Sequence, residues 1–417
     1  MDKYTTPIGL TSQFSFCGLP LRLDTYAGCA LSCTYCFARL RGGSALTSKI
    51  RKADPIEIVK LIKSAFSTPE KTTGIVSEFL RNRTPIHFGG MSDPFQPIEK
   101  KEKITLSVLQ YLCSIQYPLV ISTKSPLISE KDYLEILKSN PNVVIQFSFS
   151  TCSDEIGRIV EPYSFRPTEI LNAIETISKS GIKTTIRWQP YIPNVSESVE
   201  LFVRKIVDVG AKHIGFEHLK LPLEKDHILW KRLISNLKFD IKEYYKILGA
   251  YVDGREFILP AEIKVIKALK VRSEAHKYGL SFGAADNDIQ YLSDYYCCCS
   301  GVDQFEGFEN WNKFQIAYAI KNSNGGKIKF EAIDKEWHPK GAIDKYLNSE
   351  SRIKAIGEHN TIKDYIKKRW QDLTSDFNPT KFHGVIFNGE LDERGFNIYN
   401  WTDENKKLIK YNESENK

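Results

Sequence analysis

The chain has 417 residues, 41% hydrophobic and 12% aromatic, with a formal net charge of +7. That apolar content excludes a disordered chain, and the length allows one large barrel-like domain with an appended piece, or about two to three average domains. The mild positive charge permits a polyanionic partner without requiring one, and no run of eighteen apolar residues predicts a membrane span.

Met1-Asp2-Lys3-Tyr4-Thr5 leads into a polar stretch with no apolar core of a signal peptide. From about residue 20 to residue 290, short β-branched runs alternate with longer amphipathic stretches. Strands are expected at 21–26, 85–89, 118–123, 143–148, 183–189, 213–218 and 280–285. Helices are expected near 55–66, 101–115, 129–139, 167–180, 197–209, 227–247 and 260–277. This rhythm implies an α/β fold of right-handed βαβ units on a parallel sheet. Six or seven units fit a partial or complete (β/α) barrel better than a doubly wound sheet, and barrel chemistry gathers at the carboxyl ends of the strands. The expected division is a barrel domain at 1–290 and a smaller α+β appendage at 291–417 that packs on the barrel or covers its mouth. The appendage carries Trp311, Trp337, Trp370 and Trp401, and its charged tail from Asp403 to Lys417 is expected to fray.

The most specific signal follows the first expected strand. Gly28-Cys29-Ala30-Leu31-Ser32-Cys33-Thr34-Tyr35-Cys36-Phe37 spaces three thiols as C-x3-C-x2-C. Three thiolates on one loop can wrap a [4Fe–4S] cluster, and the missing fourth ligand leaves one iron open to a small molecule. The competing readings are zinc and chance. Structural zinc wants a second C-x2-C or H-x3-H pair close by, and none follows within roughly fifty residues. The nine cysteines bunch at 29–36 and 297–299, which argues for metal or redox chemistry in a reducing cytosol rather than a secreted disulfide scaffold.

With Phe37 directly after the last cysteine, this loop resembles the signature of radical S-adenosylmethionine (radical SAM) enzymes. The segments Gly89-Gly90-Met91-Ser92-Asp93-Pro94-Phe95-Gln96-Pro97-Ile98-Glu99, Ser122-Thr123-Lys124-Ser125, 144–150 and Ile186-Arg187-Trp188-Gln189-Pro190 resemble the spore photoproduct lyase-like branch. The resemblance spans about residues 20 to 220. It implies a [4Fe–4S] cluster and S-adenosylmethionine as cofactors, and an outside electron donor of flavodoxin or ferredoxin type. It also implies a 5′-deoxyadenosyl radical that abstracts hydrogen from a substrate. Tyr35 and Phe37 belong to the cofactor side of the motif. Gly89 and Gly90 would let backbone approach the cofactor's amino group, with Ser92 and Asp93 accepting from it. Lys124 is the family-matched cation for its carboxylate, Arg187 a second one, and Ser148 a matching hydroxyl. The plain alternatives are a strand-end turn at Gly89 and Gly90, loop polarity at Ser92 and Lys124, and an ion pair of Arg187 with Glu217 or another carboxylate. The lyase that gives the branch its name carries a cysteine just upstream of the position of Ser92 and a tyrosine at that of Phe37. Gly90, Met91 and Phe37 stand here, so a hydrogen-relay repair of thymine dimers does not transfer.

Cys297-Cys298-Cys299 forms a second cluster of thiols after the last expected strand. Three readings stay open: a second metal site recruiting Cys17 or a histidine, a hydrogen or electron donor at the barrel mouth, or inert core thiols. Glu217, His218, Asp286 and Asp288 are candidates for the substrate side, against a reading as solvated loop residues. By resemblance to a nucleic-acid repair branch, nucleic acid or nucleotide is the leading substrate class, with Tyr295, Tyr296 and the late tryptophans as stacking candidates against a reading as core. Radical modification of a peptide or small metabolite is the alternative, and a non-catalytic iron–sulfur sensor is the third.

Overall fold

A computed structural model describes residues 3–11, 13, 17–36, 38, 49–223, 228–237, 239–254, 256–309, 311, 313–347, 360–375, 378–382 and 384–407. One eight-stranded sheet dominates: β1 (Ile8–Leu10), β2 (Leu21–Leu23), β3 (Ile86–Phe88), β4 (Leu119–Thr123), β5 (Val143–Phe149), β6 (Lys183–Tyr191), β7 (His213–His218) and β8 (Ser281–Ala284), adjacent in that order. β1 runs antiparallel to β2, and every later pair is parallel. Strands laid down one after another in a single direction wind round as a barrel, whereas a doubly wound sheet would reverse its order partway. β1 and β8 are the two ends of the order, so the barrel is partial.

Alternation along the strands separates two environments. Leu23, Ile86, Phe88, Leu119, Ile121, Ile145, Phe147 and Ile186 face outward and join the core with the helices. Arg22, His87, Ser122, Ser148 and Arg187 face the lumen and are half-buried. The helices form because their apolar residues recur at helical spacing. In Pro55–Ser67, Ile58, Ile62 and Ala65 are buried, Asp54 accepts from the Ile56 amide at 3.0 Å, and proline opens the first turn. Each such buried isoleucine contributes about 1.5–3 kcal/mol.

Two expected helices divide. The stretch 101–115 becomes Glu99–Glu102 and Ile104–Ser114 because Lys103 takes a left-handed conformation (φ 53). Glu99, fully buried, explains the break: it accepts from the Thr105 and Leu106 amides at 3.0 and 2.9 Å, and from the hydroxyls of Tyr133 and Tyr26. The stretch 227–247 becomes Ile228–Asn236 and Ile241–Ile247, the second capped by Asp240.

Beyond β8 lie the helices Ile316–Asn322 and Ile362–Gln371 and the hairpin Val385–Leu391 with Asn397–Trp401. Phe314, Ile316, Tyr365, Trp370, Tyr399 and Trp401 share one apolar core with the barrel helices. Residues 297–309 and Trp311 return to the amino end of the barrel. There Cys297, Val302, Phe308 and Trp311 pack on Leu19, Val120 and Val144 and form the floor of the lumen. The expectation that Cys297–Cys299 reaches the mouth is thereby corrected. His213 and Ser281 start their strands, and the His213 Nε2 meets the Cys299 carbonyl at 3.0 Å. Of the late aromatic residues, Trp311, Trp370 and Trp401 are buried and Trp337 is partly exposed. Among the described residues no helix is long and apolar enough to cross a membrane.

Candidate active site

The cysteine loop leaves β2 through the short strand Tyr26–Ala27 and turns at Gly28 (φ 86) and Ser32 (φ 43). It is held from below by the segment after β3. Asp24 accepts from the Met91 and Ser92 amides at 2.9 and 3.2 Å, which sets that segment under the loop. Ser92 Oγ then donates to the Gly28 carbonyl at 2.8 Å. Gln96, fully buried, donates to the same carbonyl at 3.1 Å and accepts from the Ala30 amide at 2.9 Å. Gln96 thus grips the backbone on both sides of Cys29. The far side of the loop rests on the helix Asp154–Val160, where Thr34 Oγ1 donates to the Val160 carbonyl at 2.7 Å.

The next residue, Glu161, sits at the centre of the polar network. It accepts from Tyr35 and pairs with Lys124 at 3.1 Å, and both partners are largely buried. Lys124 Nζ also donates to the Ser148 carbonyl at 2.8 Å and meets the Tyr35 hydroxyl at 3.1 Å. Burial pulls the Lys124 ammonium down, but Glu161 and the neighbouring acids outweigh it and raise it above the usual lysine value. Burial first, and then the Glu161 charge, push the Tyr35 hydroxyl well up, so it stays protonated. Sequence reading did not find Glu161, Asp24, Arg22 or His87. The polar residues at strand ends were the signal for Asp24; nothing local marks Glu161.

Other expected positions divide. Gly89 (φ 88) is required by backbone: a Cβ there would lie 2.5 Å from the Ser122 carbonyl oxygen and 2.6 Å from Pro94. A Cβ on Gly90 would lie 3.1 Å from Arg22. Asp93 binds inside the protein, accepting from the Phe95 and Lys124 amides at 2.9 and 2.7 Å and from Thr123 at 2.9 Å. Its carboxylate therefore holds the strand ends together. Arg187 donates to Cys299 Sγ at 3.3 Å, while Glu217 pairs with Lys220. The plain alternative of an Arg187–Glu217 ion pair is not formed, since Glu217 pairs with Lys220 instead. His218 donates its Nδ1–H to Asp286 at 2.9 Å, both buried at the ends of β7 and β8. Burial raises Asp286, but His218, Lys264 and Lys220 outweigh it and hold the carboxyl well below the usual range. Asp288 pairs with Lys264 at 2.6 Å. Phe37 lies outside the described residues, as does the side chain of Cys298.

Cys29, Cys33 and Cys36 stand on one loop, and three thiols are the donor set that would hold a [4Fe–4S] cluster with one iron left open. Cys29 feels the charge of Cys36, Cys33 feels those of Cys36 and Cys29, and the Leu31 and Asp93 amides point at the Cys29 sulfur. Burial, with the Asp93 charge, pushes the Cys29 thiol up to about 12, so metal binding there releases a proton.

Residues 23–200 match the family model described as the radical SAM superfamily. An uncharacterized protein of Methanocaldococcus jannaschii is 23% identical over 215 residues, covering 50% of this chain and 74% of its own. A cysteine-to-serine mutant of spore photoproduct lyase is 14% identical, covering 73% of this chain and 78% of its own, at a TM-score of 0.47. A tyrosine-to-phenylalanine mutant of that lyase is 16% identical over 67% of this chain and 80% of its own, at 0.48. SuiB of Streptococcus suis bound to the precursor peptide SuiA is 16% identical over 73% of this chain and 67% of its own, at 0.36.

Proposed function

We propose, from the match of residues 23–200 to the radical SAM superfamily model, that the chain reductively cleaves S-adenosylmethionine and abstracts hydrogen from a substrate carbon in the barrel lumen. When bound, the cluster and cofactor supply a one-electron cleavage that yields a 5′-deoxyadenosyl radical. Cys29, Cys33 and Cys36 would hold the cluster. Ser92, Gln96 and Glu161 keep that loop in register with the strand ends. Lys124 and Ser148 would hold the cofactor's methionine end. A substrate filling the lumen would keep bulk water from a reactive carbon centre. The electron comes from outside the chain, from a low-potential carrier of the flavodoxin or ferredoxin class.

The observation that carries this reading is the three-cysteine loop seated on the Ser92–Gln96 segment, which follows a barrel strand, and on Glu161, at the end of the helix Asp154–Val160. The deciding experiment measures 5′-deoxyadenosine formed by anaerobically reconstituted, dithionite-reduced protein. Wild type forms it and Cys33→Ala does not, with iron and sulfide content lost as well. A Cys33→Ala protein with normal iron content refutes the assignment. For the substrate we propose nucleic acid or a nucleotide, supported by the net charge of +7. Binding to single-stranded DNA or RNA that weakens steeply with salt supports this class, because phosphate contacts release counterions. Salt-insensitive or absent binding favours a peptide or small metabolite.

A further inference from the structure

The lumen below the cofactor positions is built from charged and polar side chains on adjacent strands. Arg22 on β2 pairs in register with His87 on β3. Ser122 on β4 pairs with Gln146 on β5, Gln146 with Thr185 on β6, and Ser148 with Arg187. Arg22, His87, Ser122 and Arg187 are half-buried, and their outward neighbours are sealed under the helices, so their exposed surface opens inward. The lumen is therefore reached by solvent, with two guanidiniums on its wall.

The hydrogen bonds give this wall a direction. His87 Nε2 lies 2.8 Å from Ser122 Oγ, which donates onward to Gln146 Oε1 at 3.3 Å. That chain fixes the Gln146 amide with its oxygen toward Ser122, which turns its Nε2 protons away from Ser122. Gln146 is 1% exposed and its Nε2 has no partner among the described residues; the Thr185 hydroxyl beside it, on a fully buried residue, has none among them either. Buried donors left in this state mark a place where an acceptor is wanted. Burial, then Arg187 and Arg22, hold the His87 ring down to about 3, so it is neutral at pH 7 and both cations act on the same spot.

We propose that this lumen binds an oxyanion of the substrate, a carboxylate or a phosphate, between Arg22 and Arg187, with the Gln146 amide and the Thr185 hydroxyl as further donors. Guanidinium pairs hold such groups through short, charge-assisted hydrogen bonds. The inference rests on the function proposed above and names the chemical feature of its substrate. A carbon near the anchored anion is thereby presented to the cofactor side, where Gly90 lies against Arg22.

The test uses anaerobically reconstituted protein saturated with S-adenosylmethionine, so that the Lys124 side is filled. Inorganic phosphate and acetate are titrated separately, and the isotope-labelled His87 ring is followed by NMR. At least one anion is expected to shift the His87 signals in the millimolar range, and Arg22→Gln and Arg187→Gln each weaken binding by about tenfold or more. A response to phosphate alone assigns a phosphorylated substrate; a response to acetate alone assigns a carboxylate. The proposal is overturned if neither anion moves the His87 signals, or if both arginine variants bind as wild type does. Where a variant does not fold, the wild-type His87 response decides. Protein that forms 5′-deoxyadenosine but binds neither anion defeats this inference and leaves the reading beneath it intact.

Discussion

Glu161→Gln isolates the network that joins the cysteine loop to the cofactor cation. The amide keeps an acceptor for Tyr35 but removes the charge facing Lys124, which is 3.1 Å away with side chains 4% and 14% exposed. Removing one partner of a buried pair costs about 3–5 kcal/mol. Lys124 keeps the Ser148 carbonyl at 2.8 Å and the Tyr35 hydroxyl at 3.1 Å, so the expected cost falls to about 2–3 kcal/mol. Because the folded Lys124 value is raised above 10.5, this contribution is complete at neutral pH and disappears only as pH climbs through the folded value. The assay is urea unfolding at pH 7.5 of four proteins: wild type, Glu161→Gln, Lys124→Met and the double variant. The double variant should recover about 2 kcal/mol relative to the sum of the single losses, since it no longer buries a lone charge. A Glu161→Gln cost below about 0.5 kcal/mol, or strictly additive losses, would show that the pair does no more than an exposed one.

Gln96→Leu leaves the Ala30 amide without its acceptor and is expected to lower iron and sulfide uptake while the far-ultraviolet circular dichroism stays unchanged; normal loading would refute the role of Gln96 as the clasp of the loop. His213→Gln tests a pH effect. Burial holds the His213 ring down to about 4, against 6.5 when unfolded. Its contribution is therefore present above pH 6.5 and lost on acidification, by about 2 kcal/mol between pH 7.5 and pH 5. Wild type should lose that much more stability than the variant over this range in denaturant titrations, and parallel curves contradict it. The double substitution Cys297→Ser with Cys299→Ser should leave iron content and 5′-deoxyadenosine formation at wild-type levels, as befits floor residues. Loss of product formation with the cluster intact would restore a redox part for these thiols.

The seven parallel strands were legible because β-branched runs such as Leu119–Thr123 and Val143–Phe149 are long enough to show against their amphipathic neighbours. β1 was not, since Ile8-Gly9-Leu10 lies outside the strand–helix rhythm and carries a glycine at its centre, and the strand exists only through antiparallel pairing with β2. The break at Lys103 depended on a carboxylate reaching two tyrosines, Tyr26 and Tyr133, that lie 73 and 34 residues away. Glu161 meets Tyr35 across 126 positions. Its placement is a product of the barrel closing, and no local pattern announces it. For Cys297–Cys299 the strand order located the run in sequence, but the chain folded back beneath the strands instead of rising over them.

That fold-back has a consequence for biogenesis. A nascent chain released at residue 290 would have all eight strands of the barrel sheet and yet an unsealed base, with Leu19, Val120 and Val144 open to solvent. The segment that stoppers the base is synthesised only after every one of those strands. A ribosome pausing before residue 311 would therefore expose an apolar ring that chaperones recognise, and the vessel becomes watertight only once its own late-made plug has dropped into place.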